Sequence, residues 1–355
     1  MKRLIMAIAL VSVGAVVAPQ AWRHWQIVAA ADDPVALSQL RLDEALSPQR
    51  VMAEIDAAIT ARDSDLAASF VALAMERGIV IPADRHAAIR ALAERAPVDA
   101  VEDFGHGLIA GDRDSGAAMA GAVAGDLIGF GDLRDLAAEG RKWLGGEAID
   151  PTVLALAAGG LAISAATIAS IGAALPARNG LSVVKAATKA KLLSPALTTS
   201  LARLTRDAVH RPALTASLAA AAKFDLAASR TAAGAILKPA ALTRLTALGQ
   251  DAGGLYARAG QRGLRQVLAV ADDAGDIAKA SKLAVAKGGS FRAVLKVLGR
   301  GALVLGALSM TAMGWLFALV GYAIAVAMLA QRFGWWLGRR LKPAPRPQTA
   351  EIQTA

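Results

Sequence analysis

Residues 302–330 read ALVLGALSMTAMGWLFALVGYAIAVAMLA, 29 residues without a charge. A helix of about 20 apolar residues is enough to cross the hydrocarbon core of a bilayer. Arg300 precedes the run, and Arg332, Arg339, Arg340 and Lys342 follow it, with Phe333, Trp335 and Trp336 among them. Amphipathic rings and cations beside an apolar run hold its ends at headgroup depth. The pattern predicts a transmembrane helix over 301–330 and a basic tail over 331–355. Trp335, Trp336, Arg339 and Arg340 are its interface anchors. Gly306, Gly314 and Gly321 would let another helix pack closely. The expected partners are therefore the lipid bilayer and a protein partner or second copy packed through Gly-containing membrane helices.

The chain begins MKRLIMAIALVSVGAVVAPQAW, two cations before an apolar run from Leu4 to Ala18. Residues 1–22 are a signal anchor or a cleaved signal peptide. Ala29-Ala30-Ala31 has the small residues of a cleavage site but lies far downstream. Trp22 and Trp25, on either side of Arg23, suit an anchor that stays at the interface.

A third uncharged stretch, TVLALAAGGLAISAATIASIGAA over 152–174, is long enough to span but rich in Ala, Gly, Ser and Thr. It is a transmembrane helix or a buried core helix. Charge divides around it. Residues 23–150 hold 12 Lys+Arg and 22 Asp+Glu, whereas residues 175–300 hold 20 Lys+Arg and 6 Asp+Glu. If 152–174 spans, the positive-inside bias puts 175 onward in the cytoplasm and 23–150 in the periplasm of a bacterial inner membrane. Three spans then leave the basic C-terminus outside. Two arrangements remove the conflict: a hairpin over 302–337, or a buried 152–174 with only two spans.

Between these runs the chain reads as helices. Ala and Leu dominate, aromatic residues make up 4%, and the fold class expected is all-α, an integral membrane protein with helical-hairpin extramembrane domains. In the acidic helical domain, 23–116, Ser47-Pro48 is a helix start with Val51, Ile55, Ala58 and Ile59 at helical spacing. Asp63 or Ser64 caps a second helix carrying Leu66, Phe70, Leu73 and Ala74, and Gly78 stops it. Pro82 opens a third with Ile89, Leu92 and Ala93. In 175–300, a basic Ala-rich helical domain, Pro195-Ala-Leu-Thr recurs at Pro212 and loosely at Pro239, each proline at a helix start. Cations here repeat at helical spacing: Lys185 and Lys189; Arg258, Arg262 and Arg265; Arg292, Lys296 and Arg300. Such faces beside a membrane span bind anionic lipid surfaces, and these eight are the candidate membrane-surface residues. Only Phe224, Tyr256 and Phe291 could stack on bases, so no nucleic acid is expected.

Residues 117–151 are rich in Gly and Asp. Gly125-Asp126 and Gly131-Asp132 repeat a Gly-Asp-Leu step, and Asp135, Gly146, Glu147, Gly180 and Lys185 follow. With the hydrophobic helix between them, Gly131, Asp132, Asp135, Gly146, Glu147, Gly180 and Lys185 resemble the pre-toxin segment of bacterial polymorphic toxins. Gly145 stands where that segment has threonine. The resemblance covers about 65 of 355 residues and implies a link to secreted or membrane-crossing effectors.

Chemistry is hard to place on this chain. No Cys is present, which excludes disulfides and thiolate metal sites, and the 55% hydrophobic content excludes disorder as the main state. His24, His86, His106 and His210 lack HExxH-type spacing. Glu102-Asp103 with His106 is read as a turn. Gly105-x-Gly107 misses the dinucleotide fingerprint, and no P-loop or GxSxG occurs. Asp126, Asp132 and Asp135 are read as helix punctuation rather than a carboxylate site. No catalytic, cofactor or metal residues are expected. The expected role is a non-enzymatic structural or interaction role in the envelope; the alternative is a membrane-active secreted effector.

Overall fold

The computed structural model describes residues 2–95, 130–169, 175–206, 209–222, 228, 235–304 and 310–340. Among these the fold is all-α. An isolated antiparallel bridge joins Val209 and Leu237. The candidate loop around His106, and Asp126, lie outside the described residues. The chain divides into two compact units, Ala31–Val304 and a second made of Met1–Ala30 with Leu305–Ala355.

The larger unit starts with α2 (Pro34–Ala45), α3 (Pro48–Thr60), α4 (Ser64–Glu76) and α5 (83–95). Asp33 caps α2 by accepting from Val35 and Ala36, Ser47 caps α3 through Arg50, and Asp63 caps α4 through Leu66. Each side-chain oxygen satisfies an N–H that the first turn leaves without a helical partner. Gly78, at φ 65°, closes α4 while the Ile79 N–H reaches back to Ala74.

Next come α6 (Phe130–Leu144), α7 (Pro151–Ala169), α8 (Leu175–Lys189), α9 (Pro195–Arg206) and α10 (Arg211–Ala222). The unit ends with α11 (Pro239–Leu268), α12 (Ala274–Lys287) and α13 (Phe291–Leu298), with 3-10 turns at Gly288–Ser290 and Gly299–Ala302. α7 is its centre. Every residue from Thr152 to Ser164 is buried, enclosed by α6, α8, α9 and α11. The sequence left 152–174 between span and core. In the structure its first two turns and more are core, and other helices rather than lipid cover it.

That placement corrects the division of the chain across a membrane. A bilayer cannot separate the acidic and basic halves, because they form one unit. α4 packs on α13 and on the Gly288–Ser290 turn, and α2 packs on α12 and α13. One continuous core takes Leu42, Ile55 and Phe70 from the acidic half and Leu264, Leu283 and Phe291 from the basic half. Residues 31–95 of the expected acidic domain and the described residues of 175–300 are thus parts of one body. Their opposite charges face each other instead of opposite compartments.

The smaller unit pairs α1 (Lys2–Ala29) with α14 (Met310–Arg340). At 1.5 Å per residue they are about 42 and 46 Å long, more than the hydrocarbon core of about 30 Å. Gly14, Val17 and Ala21 are buried, a stripe at helical spacing. A Cβ at Gly14 would overlap the Tyr322 hydroxyl, so a glycine is what lets these helices meet there. On α14 the stretch Phe317–Trp336 is long and apolar enough to cross a membrane, and none of it is buried.

Candidate functional site

Two features concentrate the residues singled out by the sequence: a buried ion cluster in the larger unit and the exposed apolar helix pair of the smaller one. The cluster forms where α6 and α8 flank α7. Asp132 and Asp135 leave α6 one turn apart, and Lys185 and Lys189 leave α8 one turn apart. Lys185 Nζ lies 2.5 Å from Asp132 Oδ1 and 3.2 Å from Asp135 Oδ2. Lys189 Nζ lies 2.9 Å from Asp135 Oδ1. The Asp132 carboxylate rests on α7 at Gly160, where a Cβ would overlap it. Burial pushes the Asp135 carboxyl up, but the charges and hydrogen bonds of Lys185 and Lys189 outweigh that and hold it below its ordinary value.

Three residues that carry the pre-toxin resemblance, Asp132, Asp135 and Lys185, thus touch one another. Gly180 does different work, at the crossing of α8 and α11. Gly146, at φ 75°, ends α6 while Glu147 donates its N–H back to Lys142, and the Glu147 side chain is exposed.

A second set of pairs ties the acidic helices to the basic ones. Arg292 donates to both oxygens of Asp63, at 2.9 and 2.6 Å, and Arg262 reaches the same carboxylate at 3.3 Å. Glu76 takes Lys287 at 3.3 Å and the Ser290 hydroxyl at 2.5 Å. Ser69 Oγ accepts from the Ala293 N–H at 2.9 Å. Arg41 donates to the Gly301 carbonyl at 2.9 Å, tying α2 to the 3-10 turn that follows α13. Burial raises the Asp63 pKa, and Arg292, the Leu66 N–H and Arg262 more than reverse it, so the net shift is downward.

These pairs engage five of the eight candidate membrane-surface cations and correct the assignment for the two that are buried. Lys185 is 2% exposed and Arg292 7%, so neither can reach a headgroup. Lys189 and Arg262 are paired as above, and Arg300 is held by Asp276 at 2.8 Å and Asp272 at 2.7 Å. The faces also break. Gly260, at φ 67°, interrupts α11 between Arg258 and Arg262. Gly299, at φ 55°, ends α13 before Arg300. Arg258 and Lys296 are exposed and Arg265 is half-buried. Helical spacing holds for Lys185 with Lys189 and for Arg292 with Lys296, but the partner carboxylates come from outside those helices.

Both carboxylates have folded pKa values below the ordinary 3.8. Their pairs therefore contribute fully above that value, and the contribution is lost as pH falls through the lower folded values. Thermal unfolding between pH 7 and pH 2 should show a steady melting temperature down to about pH 4 and a fall below it. Asp63→Asn should flatten that fall. An unchanged pH profile in this variant would remove Asp63 from the account.

The interface anchors lie in the smaller unit. Trp22, Trp25 and Trp335 are exposed by more than half, and Trp336 is half-buried. The Arg339 guanidinium stands over the Trp335 ring at 5.4 Å, and Phe333 meets Trp336 at 5.6 Å between centroids. The Arg340 side chain lies outside the described ones. Sequence reading missed the pair Gly249 and Gly253 on α11; a GxxxG spacing was there to find it. It also missed the Gly14–Tyr322 contact, which no local pattern marks. Among the described residues no three His, Asp or Glu gather as metal ligands. The chain matches no family model, no curated protein and no solved structure.

Proposed function

We propose that the chain is a two-span protein of a bacterial inner membrane, with a non-enzymatic structural or interaction role carried by its larger unit. One observation carries the reading. Phe317–Trp336 exposes an apolar surface along its whole length and, among the described residues, packs chiefly against another long helix, while the apolar α7 is enclosed by protein. Such a surface left in water would be a large uncompensated loss, and a bilayer removes it.

The arrangement dissolves the topological conflict in the sequence. With 31–304 as one body, α1 and α14 cross in opposite senses and both chain ends face the same side. The basic start of α1 and the basic end of α14 then share that side, against Arg23 at the other end of the pair. Positive-inside bias makes it the cytoplasm, and the larger unit is periplasmic. α1 stays as an anchor, because its buried stripe and Gly14 are fitted to α14, a fit that a discarded leader does not need. Five of the eight basic residues are engaged by carboxylates, and the lipid contact of this reading belongs to the helix pair.

Alkaline phosphatase and a fluorescent protein fused after residues 230 and 355 test the topology. Phosphatase activity at 230 with fluorescence at 355 is the expected result. Fluorescence at 230 would overturn it. Intact mass of the membrane-extracted protein should match the full 36.3 kDa chain. Gly14→Leu should loosen the pair and make α1 accessible to protease, with the larger unit intact.

A second reading, a membrane-active effector, draws on one observation: the resemblance residues Asp132, Asp135 and Lys185 form a single buried cluster. It predicts permeabilised membranes on overexpression. Unimpaired growth with the protein resident in the membrane fraction would remove it.

A further inference from the structure

We propose that the cytoplasmic end of the α1–α14 seam is a site for the phosphate headgroups of anionic phospholipids. The inference rests on the two-span reading above. Arg332, Trp335, Trp336 and Arg339 follow at i, i+3, i+4 and i+7 on α14, which places them along one side of the helix. Arg332, Trp335 and Arg339 are exposed, and Trp336 is turned partly inward. Stacking of Arg339 on Trp335 at 5.4 Å holds the guanidinium beside a ring that itself belongs at headgroup depth.

The charge balance here is unlike that of the larger unit. There, carboxylates meet most of the buried or half-buried cations. α1 and α14 contain no Asp or Glu at all, and Glu351 is the one acid in their unit. The cations at this end therefore have no carboxylate of their own helices to pair with. With no carboxylate on either helix, an external anion suits them, and the anion available at this depth is a lipid phosphate.

Near an anionic surface each cation is worth about a fivefold change in binding.

Tryptophan quenching in reconstituted full-length protein tests this. The vesicles are phosphatidylcholine carrying either brominated phosphatidylglycerol or brominated phosphatidylcholine, and Trp335→Phe with Trp336→Phe supplies the background of the other tryptophans. Brominated phosphatidylglycerol should quench Trp335 and Trp336 at a mole fraction at least about fivefold lower than brominated phosphatidylcholine. R332Q/R339Q should abolish most of that preference, and R332K/R339K, which keeps the charges, should retain it. Equal quenching by both lipids in the wild type overturns the site while leaving the span intact, as does a preference that survives in R332Q/R339Q. Quenching by neither lipid overturns the spanning reading itself, and the site with it.

Discussion

Lys185→Met is expected to lower the stability of the larger unit by about 3–5 kcal/mol. Lys185 is 2% exposed, and its ammonium lies between two buried carboxylates. Removing it leaves Asp132 and Asp135 facing each other, with the partly solvated Lys189 and Arg134 as the remaining cations on Asp135. Two like charges with little water around them repel, and neither can be hydrated without opening α6 from α8. In a unit of this size the melting temperature should fall by about 10 °C. Adding Asp132→Asn to Lys185→Met should recover part of the loss, since replacing the ions together costs far less than stranding one. A Lys185→Met protein within about 0.5 kcal/mol of wild type would mean the cluster is solvated and contributes little.

Gly249→Leu is the second large effect, at least about 3 kcal/mol. Gly180 on α8 and Gly249 and Gly253 on α11 form a close backbone approach between the two helices. A Cβ at Gly180 would overlap the Gly249 carbonyl, one at Gly249 the Ala177 carbonyl, and one at Gly253 the Pro176 carbonyl. Backbone has no rotamer to escape into, so the helices must move apart and uncover Leu181, Leu245 and Leu248, all at most 1% exposed. Gly254→Ala is the control, because its Cβ would meet only side-chain atoms of Arg258 and Ser281, at 3.3 Å. Urea unfolding of the full chain should show a much lower midpoint for Gly249→Leu and little change for Gly254→Ala. Equal midpoints would mean that the crossing has slack to absorb a side chain.

The charge segregation that suggested two compartments has a different cause. An acidic stretch and a basic stretch far apart in sequence attract whenever the chain brings them together. Asp63 and Arg292 are 229 positions apart and form a two-point pair. Spacing along one helix could place Arg292, Lys296 and Arg300 at successive turns, but could not say that Gly299 ends the helix before the third. Nor could it say that Asp63, a capping residue by local pattern, also holds two arginines.

Much of the chain was nevertheless legible locally. Helix starts at Ser47-Pro48 and Asp63, the stop at Gly78, the all-α class and the exposed apolar run near the C-terminus depend on neighbours within a turn or on a segment's own composition. Those causes are contained in the sequence. Whether residues 152–164 enter lipid or protein is different in kind. The segment's hydropathy is identical in both cases, and its fate depends on whether other helices can cover it. α6, α8, α9 and α11 do so, and the contacts that assemble them, Lys185 with Asp132 and Gly180 with Gly249, join residues 53 and 69 positions apart. Only the tertiary structure decides that, because a burial surface belongs to the assembled helices and to none of them alone.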